Sequence, residues 1–471
     1  MCTLKHLPQL RHKGHESCTP AFCGDAIQNS TNVKQLHTCP DSKNCGSTDR
    51  MFNQELLVAA LNNRATTTAW TLDGKSLVAK DRSFLAVSHV WADGTGNGTW
   101  EAGQVNKCLW GAWVKIAQAL NCDGVWWDTT CIPRDKATRA KALNNMHSNY
   151  QHAKCTVVHD KYLAGIEWKD DGSPCIALVL SPWFTRGWTA LELLLSERVF
   201  VLFRKGDGYT LKDLDQDILA NHRFLHSYAH WIATKAVERL RSPYQSLANS
   251  SDLLSVLQSR YTSWPQDQSI IAGLMCGLTK HVTLSEQEAT KLIILKLQSF
   301  NQTCLLHGQP TMSEPQWSWC PPRFGDLVPG DPTPGEVLVP GGLPNTVSVK
   351  PDGTLFGLWD ILYIPPEIDV DGGVIRPVRA HMSVENQVRV ALQEPNKCFI
   401  LTCPSFDSQG LLVKLKAPEQ ATKLRKKIYC QYIGGVNFNP SEIRQHRRPI
   451  SKKVYIGYVP GMVDARVVDW K

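Results

Sequence analysis

Four short apolar runs, separated by segments patterned as helices, constrain this chain more than any other feature. Residues 84–91 (FLAVSHVW), 124–128 (GVWWD), 155–159 (CTVVH) and 199–203 (VFVLF) each have the length and content of a buried strand. Between them lie a helical pattern over 110–120, another over about 137–153, and an amphipathic stretch after the Ser181-Pro182 turn. Strands joined by helical crossovers run parallel, and a parallel sheet is covered on both faces. The pattern therefore predicts an α/β fold with these four strands parallel in one sheet. Its ligand crevice should lie beyond the carboxyl ends of the strands. A helix over 52–61 and a hairpin turning at Asp73-Gly74, within 66–78, are expected upstream.

Those carboxyl ends carry a coherent set of polar residues. Ser88, His89, Trp91 and Asp93 end the first strand; Asp128, Thr129, Cys131 and Arg134 end the second; His159 and Asp160 end the third. Trp188 and Glu192 stand four apart on the following helix, so an indole and a carboxylate can line one wall of a cleft. Each has a plainer reading. Trp188 can be core with Glu192 paired to Arg186 or Arg198, Cys131 a small core residue, and Gly94-x-Gly96-x-Gly98 a flexible loop. The glycines do not make a dinucleotide fingerprint, because Trp100 and Glu101 follow them.

At 471 residues, with 42% hydrophobic and 20% charged side chains, the chain is expected to fold into two to four domains. A net charge of +8 is too mild to imply wholesale nucleic-acid binding. No apolar run approaches the ~20 residues of a membrane span, and the start of the chain lacks a continuous apolar signal segment, so a cytoplasmic location is expected. Sixteen cysteines then read mostly as buried thiols. One cluster with histidines stands apart: Cys18-x4-Cys23 and Cys39-x5-Cys45 offer four soft ligands for a tetrahedral zinc, with sulfurs expected within about 4 Å of one another. A polar, loosely ordered leader is the alternative.

The domain plan read from composition is a Cys/His-containing segment over 1–50, an α/β domain over 51–205, a helical annex over 206–310, a Pro/Gly-rich linker over 311–345 and a smaller β-rich domain over 346–471. Helical patterns in the annex fall at 210–218, 228–240 and 286–300; strand patterns in the last domain fall at 354–364, 398–402, 411–415, 428–432 and 453–459. Basic residues gather at 423–427 and 444–453, read first as a solvated face and otherwise as a surface for an acidic partner or nucleic acid.

Three blocks, FLAVSHVWADGTGN, VWWDTTCIPRD with NNMHSNYQHAKCTVVHD behind it, and PWFTRGWTALELLLSERV, resemble in order and spacing those of the fungal heterokaryon incompatibility domain. The later RYTSWPQDQSIIAGLM is similar to a segment that often follows that domain. The chain departs at Pro133-Arg134, where many members have Asn-Gln, and at Leu191-Glu192, where many have Gln-Glu. That family is similar in turn to the Toll/interleukin-1 receptor (TIR) fold, a flavodoxin-like sheet, in which SPWFTRGWTALEL resembles a block carrying the catalytic glutamate of NAD-cleaving members. The resemblance implies Glu192 as catalytic residue, and NAD as a substrate held by Ser88, Trp91, Asp93, Asp128, Cys131, Arg134 and Trp188. It implies a role in cell death after non-self recognition, set off by a protein trigger and self-association. Many TIR domains are assembly modules only, and a non-enzymatic signalling role by self-association is the alternative.

Overall fold

A computed structural model describes residues 33–40, 42–63, 66–96, 104–133, 135–220, 228–241, 250–278, 283–329, 346–367, 373–378, 380–402, 408–415, 428–443 and 450–457. The chain divides into two compact units, residues 1–245 with 256–283, and residues 246–255 with 284–471.

In the first unit the strands are β1 (Thr66–Thr71), β2 (Leu77–Ala79), β3 (Phe84–His89), β4 (Gly124–Trp127), β5 (Cys155–His159), β6 (Val199–Lys205) and β7 (Gly208–Asp213). They form one sheet in the order β2-β1-β4-β3-β5-β6-β7. The central four are parallel, as the apolar runs predict, with Ala86 opposite both Trp126 and Thr156. Every residue of β3, β4 and β5 is buried, which is why these strands read as unbroken apolar runs. Antiparallel strands finish the edges: β1 on β4, β2 on β1, and β7 on β6. Strand order reverses between β3 and β5, the place where a doubly wound sheet opens a crevice.

The helices of this unit are α1 (Gln54–Asn63), α2 (Lys107–Ala119), α3 (Asp128–Cys131), α4 (Lys136–Asn144), α5 (Met146–His152), α6 (Lys161–Gly165), α7 (Ser173–Leu180), α8 (Gly187–Leu195), α9 (Tyr228–Glu238) and α10 (Asp267–Met275). The single helix expected over 137–153 is broken at Asn145 into two shorter helices. The helix expected over 210–218 is strand as far as Asp213 and π-helical from Leu214. Gly206, at φ 59°, and Asp207 form a two-residue turn that folds β7 back on β6, and a π-helix over Leu214–Leu219 follows.

The second unit is built on a closed barrel. β10 (Leu355–Tyr363), β12 (Cys398–Thr402), β13 (Gln409–Leu415), β14 (Ile428–Phe438) and β15 (Ile450–Ile456) pair in sequence, and β15 returns to β10. Closure leaves these five strands without a free edge. Three short strands, β8 (Ser299–Asn301), β9 (Thr346–Val349) and β11 (Ile375–Pro377), extend it. α11 (Glu286–Leu297) starts in a capping box from Ser285 and Glu288, and α12 (Met382–Leu392) packs on β14. Residues 311–329, expected as linker, instead bury Trp317, Trp319 and Phe324. Trp319 Nε1 donates to the Gly353 carbonyl at 2.9 Å.

Candidate active site

Side chains alternate along β3, so its last two residues serve different groups. Ser88, fully buried, donates through Oγ to Glu192 Oε2 in a short hydrogen bond, and Trp183 Nε1 donates to the same Oγ at 2.7 Å. His89 Nε2 lies 2.6 Å from Asp128 Oδ1, while Trp91 Nε1 donates to Asp128 Oδ2 at 2.8 Å. Thr129 Oγ1 bonds the Gly96 carbonyl at 2.8 Å, drawing the loop after β3 over the imidazole. Only glycine fits at position 96: a Cβ there would stand 2.2 Å from His89 Cε1.

Glu192 comes from the middle of α8, whose start is held by a distant segment. Gly187 N–H donates to the Tyr261 carbonyl at 2.8 Å and Tyr261 N–H to Thr185 at 2.9 Å. A Cβ on Gly187 would meet Thr262 Cγ2 at 2.7 Å. Trp188 Nε1 donates to Asp267 Oδ2 at 2.8 Å. Arg260 lies buried under the same turn, its guanidinium 4.1 Å from the Phe184 ring centroid and bonded to the Arg186 carbonyl and Thr189 Oγ1.

Between these groups lies a cleft of about 1580 Å³, larger than the ~300–1,000 Å³ common for small-molecule pockets. His89, Trp91 and Asp128 face it from the sheet edge, Trp188 and Glu192 from α8, and Trp264, Asp267 and Ile270 from the later segment. Lys136, Arg139 and Arg186 add positive charge to the lining.

Burial pushes the Glu192 carboxyl up to about 7 despite the Ser88 hydrogen bond, with the Asp128 charge adding to the rise. The carboxyl forms no ion pair among the described residues; Arg198, one expected partner, instead bonds Asp213 at 3.3 Å. Burial opposes a charge on His89, yet the adjoining Asp128 carboxylate outweighs it and raises the imidazole above its ordinary value. For Asp128 burial acts upward, and His89 and Trp91 more than offset it, so the acid is lowered. His159, held against Thr95 Oγ1 at 2.8 Å, is lowered to about 4 by burial.

The structure thus brings Glu192, Trp188, Trp91 and Asp128 to one cleft. Ser88 stands behind it as a support for Glu192. Asp93 is occupied with backbone amides, accepting from Thr95 at 2.8 Å and Lys161 at 2.9 Å. Cys131 is a core thiol pushed up to about 12 by burial, and does not line the cleft. Arg134 lies outside the described residues. The sequence reading left His89 without a role and missed Arg139, Asp267 and Arg260; the segment RYTSWPQDQS, already singled out, was the available signal for the last two.

Near the N-terminal end, Cys39 and Cys45 come together with His37 and Cys108, all four ligand atoms within 4.8 Å of one another, a cluster that could hold a metal ion. Cys18 and Cys23, the other two expected ligands, lie outside the described residues.

A sheet with four parallel central strands and a large, partly charged cleft at their carboxyl edge defines an α/β domain with room for a ligand. Residues 84–163 match the family described as heterokaryon incompatibility protein (HET), the family whose sequence blocks this segment resembles. The match spans β3 to α6 and stops before α8 and Glu192. Neither curated proteins nor solved structures give a match to the chain. Among the described residues, no helix is long and apolar enough to cross a membrane.

Proposed function

We propose that this protein triggers cell death after non-self recognition by cleaving NAD in the cleft of its first unit, with Glu192 as the catalytic carboxylate. The observation that carries the reading is the setting of Glu192: a buried carboxyl, steadied by a hydroxyl rather than a cation, opening onto a cleft walled by Trp188 and Trp91. The chemistry needs little more. When the bond between nicotinamide and ribose breaks, its electron pair neutralises the pyridinium nitrogen, so the leaving group departs without an acid. The ribosyl oxocarbenium is what requires stabilisation, and an ionised carboxylate supplies it. Water then adds to the anomeric carbon and loses a proton, giving ADP-ribose. Trp188 and Trp91 offer faces for the rings, and Lys136, Arg139 and Arg186 complement the diphosphate. A TIR-like, flavodoxin-like ancestry, a cytoplasmic location, a protein trigger and activation by self-association belong to the same proposal.

The test is release of nicotinamide and ADP-ribose by the purified protein at high concentration, beside Glu192→Gln. We expect turnover by the wild type and at least a ~100-fold loss in the variant. No turnover by the wild type, with cell killing that survives Glu192→Gln, would leave the non-enzymatic assembly module as the better account.

A further inference from the structure

The His/Cys cluster is unrelated to the proposed reaction and has the geometry of a closed metal site. We propose that His37 Nδ1 and the Sγ atoms of Cys39, Cys45 and Cys108 bind a structural zinc ion that clips residues 33–48 to the start of α2. A tetrahedral zinc with Zn–S near 2.3 Å sets its sulfurs about 3.8 Å apart, and sulfur and nitrogen slightly closer. His37 Nδ1 stands 3.6 Å from Cys108 Sγ and 3.9 Å from Cys39 Sγ, and no pair among the four exceeds 4.8 Å. Three thiols with one imidazole is a donor set suited to zinc, and four protein ligands leave no open position for chemistry.

The surroundings support the ligands. Thr38 N–H points at Cys108 Sγ at 3.3 Å, the contact a metal-bound thiolate accepts, and Thr38 Oγ1 donates to the Cys108 carbonyl at 2.9 Å. Cys45 is carried to Cys108 by a backbone pairing: Lys107 N–H donates to Gly46 at 3.0 Å and Thr48 N–H to Val105 at 2.8 Å. Asn106 Nδ2 donates to the Leu36 carbonyl at 3.0 Å, fixing the segment that carries His37. That segment reaches further, since Leu36 N–H donates to the Gly94 carbonyl at 2.9 Å in the loop that covers His89. The proposed metal site is therefore joined through Leu36 to the loop that walls the cleft.

The experiment is metal analysis of the full chain purified without chelator, for the wild type, Cys108→Ser, Cys39→Ser and the double variant Cys18→Ser/Cys23→Ser. About one zinc per chain is expected in the wild type and the double variant, as one four-ligand site requires, and loss is expected in the two single variants. Because loss of zinc from Cys108→Ser would also follow from misfolding, a second readout uses the wild type alone. Exchange for cobalt should give the thiolate-to-metal charge-transfer band and the visible bands of a tetrahedral ion. A zinc-free wild type that shows no such bands with cobalt overturns the proposal. So does a mass deficit of two hydrogens locating a disulfide among Cys39, Cys45 and Cys108, or zinc retained by Cys108→Ser and lost from the double variant.

Discussion

Replacing Glu192 by Gln should make the first unit more stable at pH 8 and leave it nearly unchanged at pH 4.5. The carboxyl titrates near 4.5 when exposed and near 7 in the fold, because burial disfavours its charge more than Ser88 and the neighbouring groups restore it. A carboxyl whose folded value is raised contributes stability that is fully present below its unfolded value and lost as pH rises through the folded one. The window here runs from about 4.5 to 7. Across that window, at about 1.36 kcal/mol per pH unit, the ionised side chain costs the fold at most about 3 kcal/mol above pH 7. Glutamine is neutral throughout and keeps an oxygen for the Ser88 hydroxyl, so it escapes that cost. Two units make global unfolding a poor measure, and hydrogen exchange resolves them. Amides of β3 and β5 should exchange more slowly in Glu192→Gln than in wild type at pH 8, and at matching rates at pH 4.5. Equal differences at both pH values, or faster exchange in the variant at pH 8, would show that Glu192 is not a buried titrating acid. If the cleft cleaves NAD as proposed, the same ionisation should give turnover an acid limb near pH 7.

Ser88→Ala removes the donor to Glu192 and the acceptor of Trp183 Nε1, so the acid limb of turnover should move above pH 7 and the unit should lose ~1–3 kcal/mol; an unmoved limb would sever Ser88 from the carboxylate. Gly96→Ala places a methyl 2.2 Å from His89 Cε1, so the loop must lift, costing ~1–3 kcal/mol; Asp128 should lose its Trp91 partner and ligand affinity should fall, whereas wild-type affinity would show that the loop is not a wall of the site.

The four central strands were legible because burial on both faces erases alternation and leaves short, continuous apolar runs. β7, with the sequence GYTLKD and partial exposure, carries no such run. Its signal was the Gly206-Asp207 turn, which outweighs a helical pattern. Within the site, position on the sheet edge was readable and orientation was not. Ser88 and His89 are neighbours in sequence and point to opposite sides, one to α8 and the other to Asp128. Cys131 has the residue type of a ligand and the burial of a core side chain. Asp267 lay in a segment the sequence singled out, but nothing local tied it to Trp188, and Cys108 carried no local signal at all: each completes a site whose other members lie far away along the chain.

The segment that holds Gly187 also decides when the cleft comes into existence. The sheet is complete at Asp213, but Trp264, Asp267 and Ile270 belong to residues 256–283, which return to the first unit after an excursion into the second. At ~5–20 residues per second, synthesis reaches position 283 roughly 4–14 s after the last strand. During that interval the nascent chain has its full sheet and Glu192 but lacks one side of the cavity. A protein truncated after β7 would be fixed at the same stage, its first seven strands intact and Trp188 without Asp267.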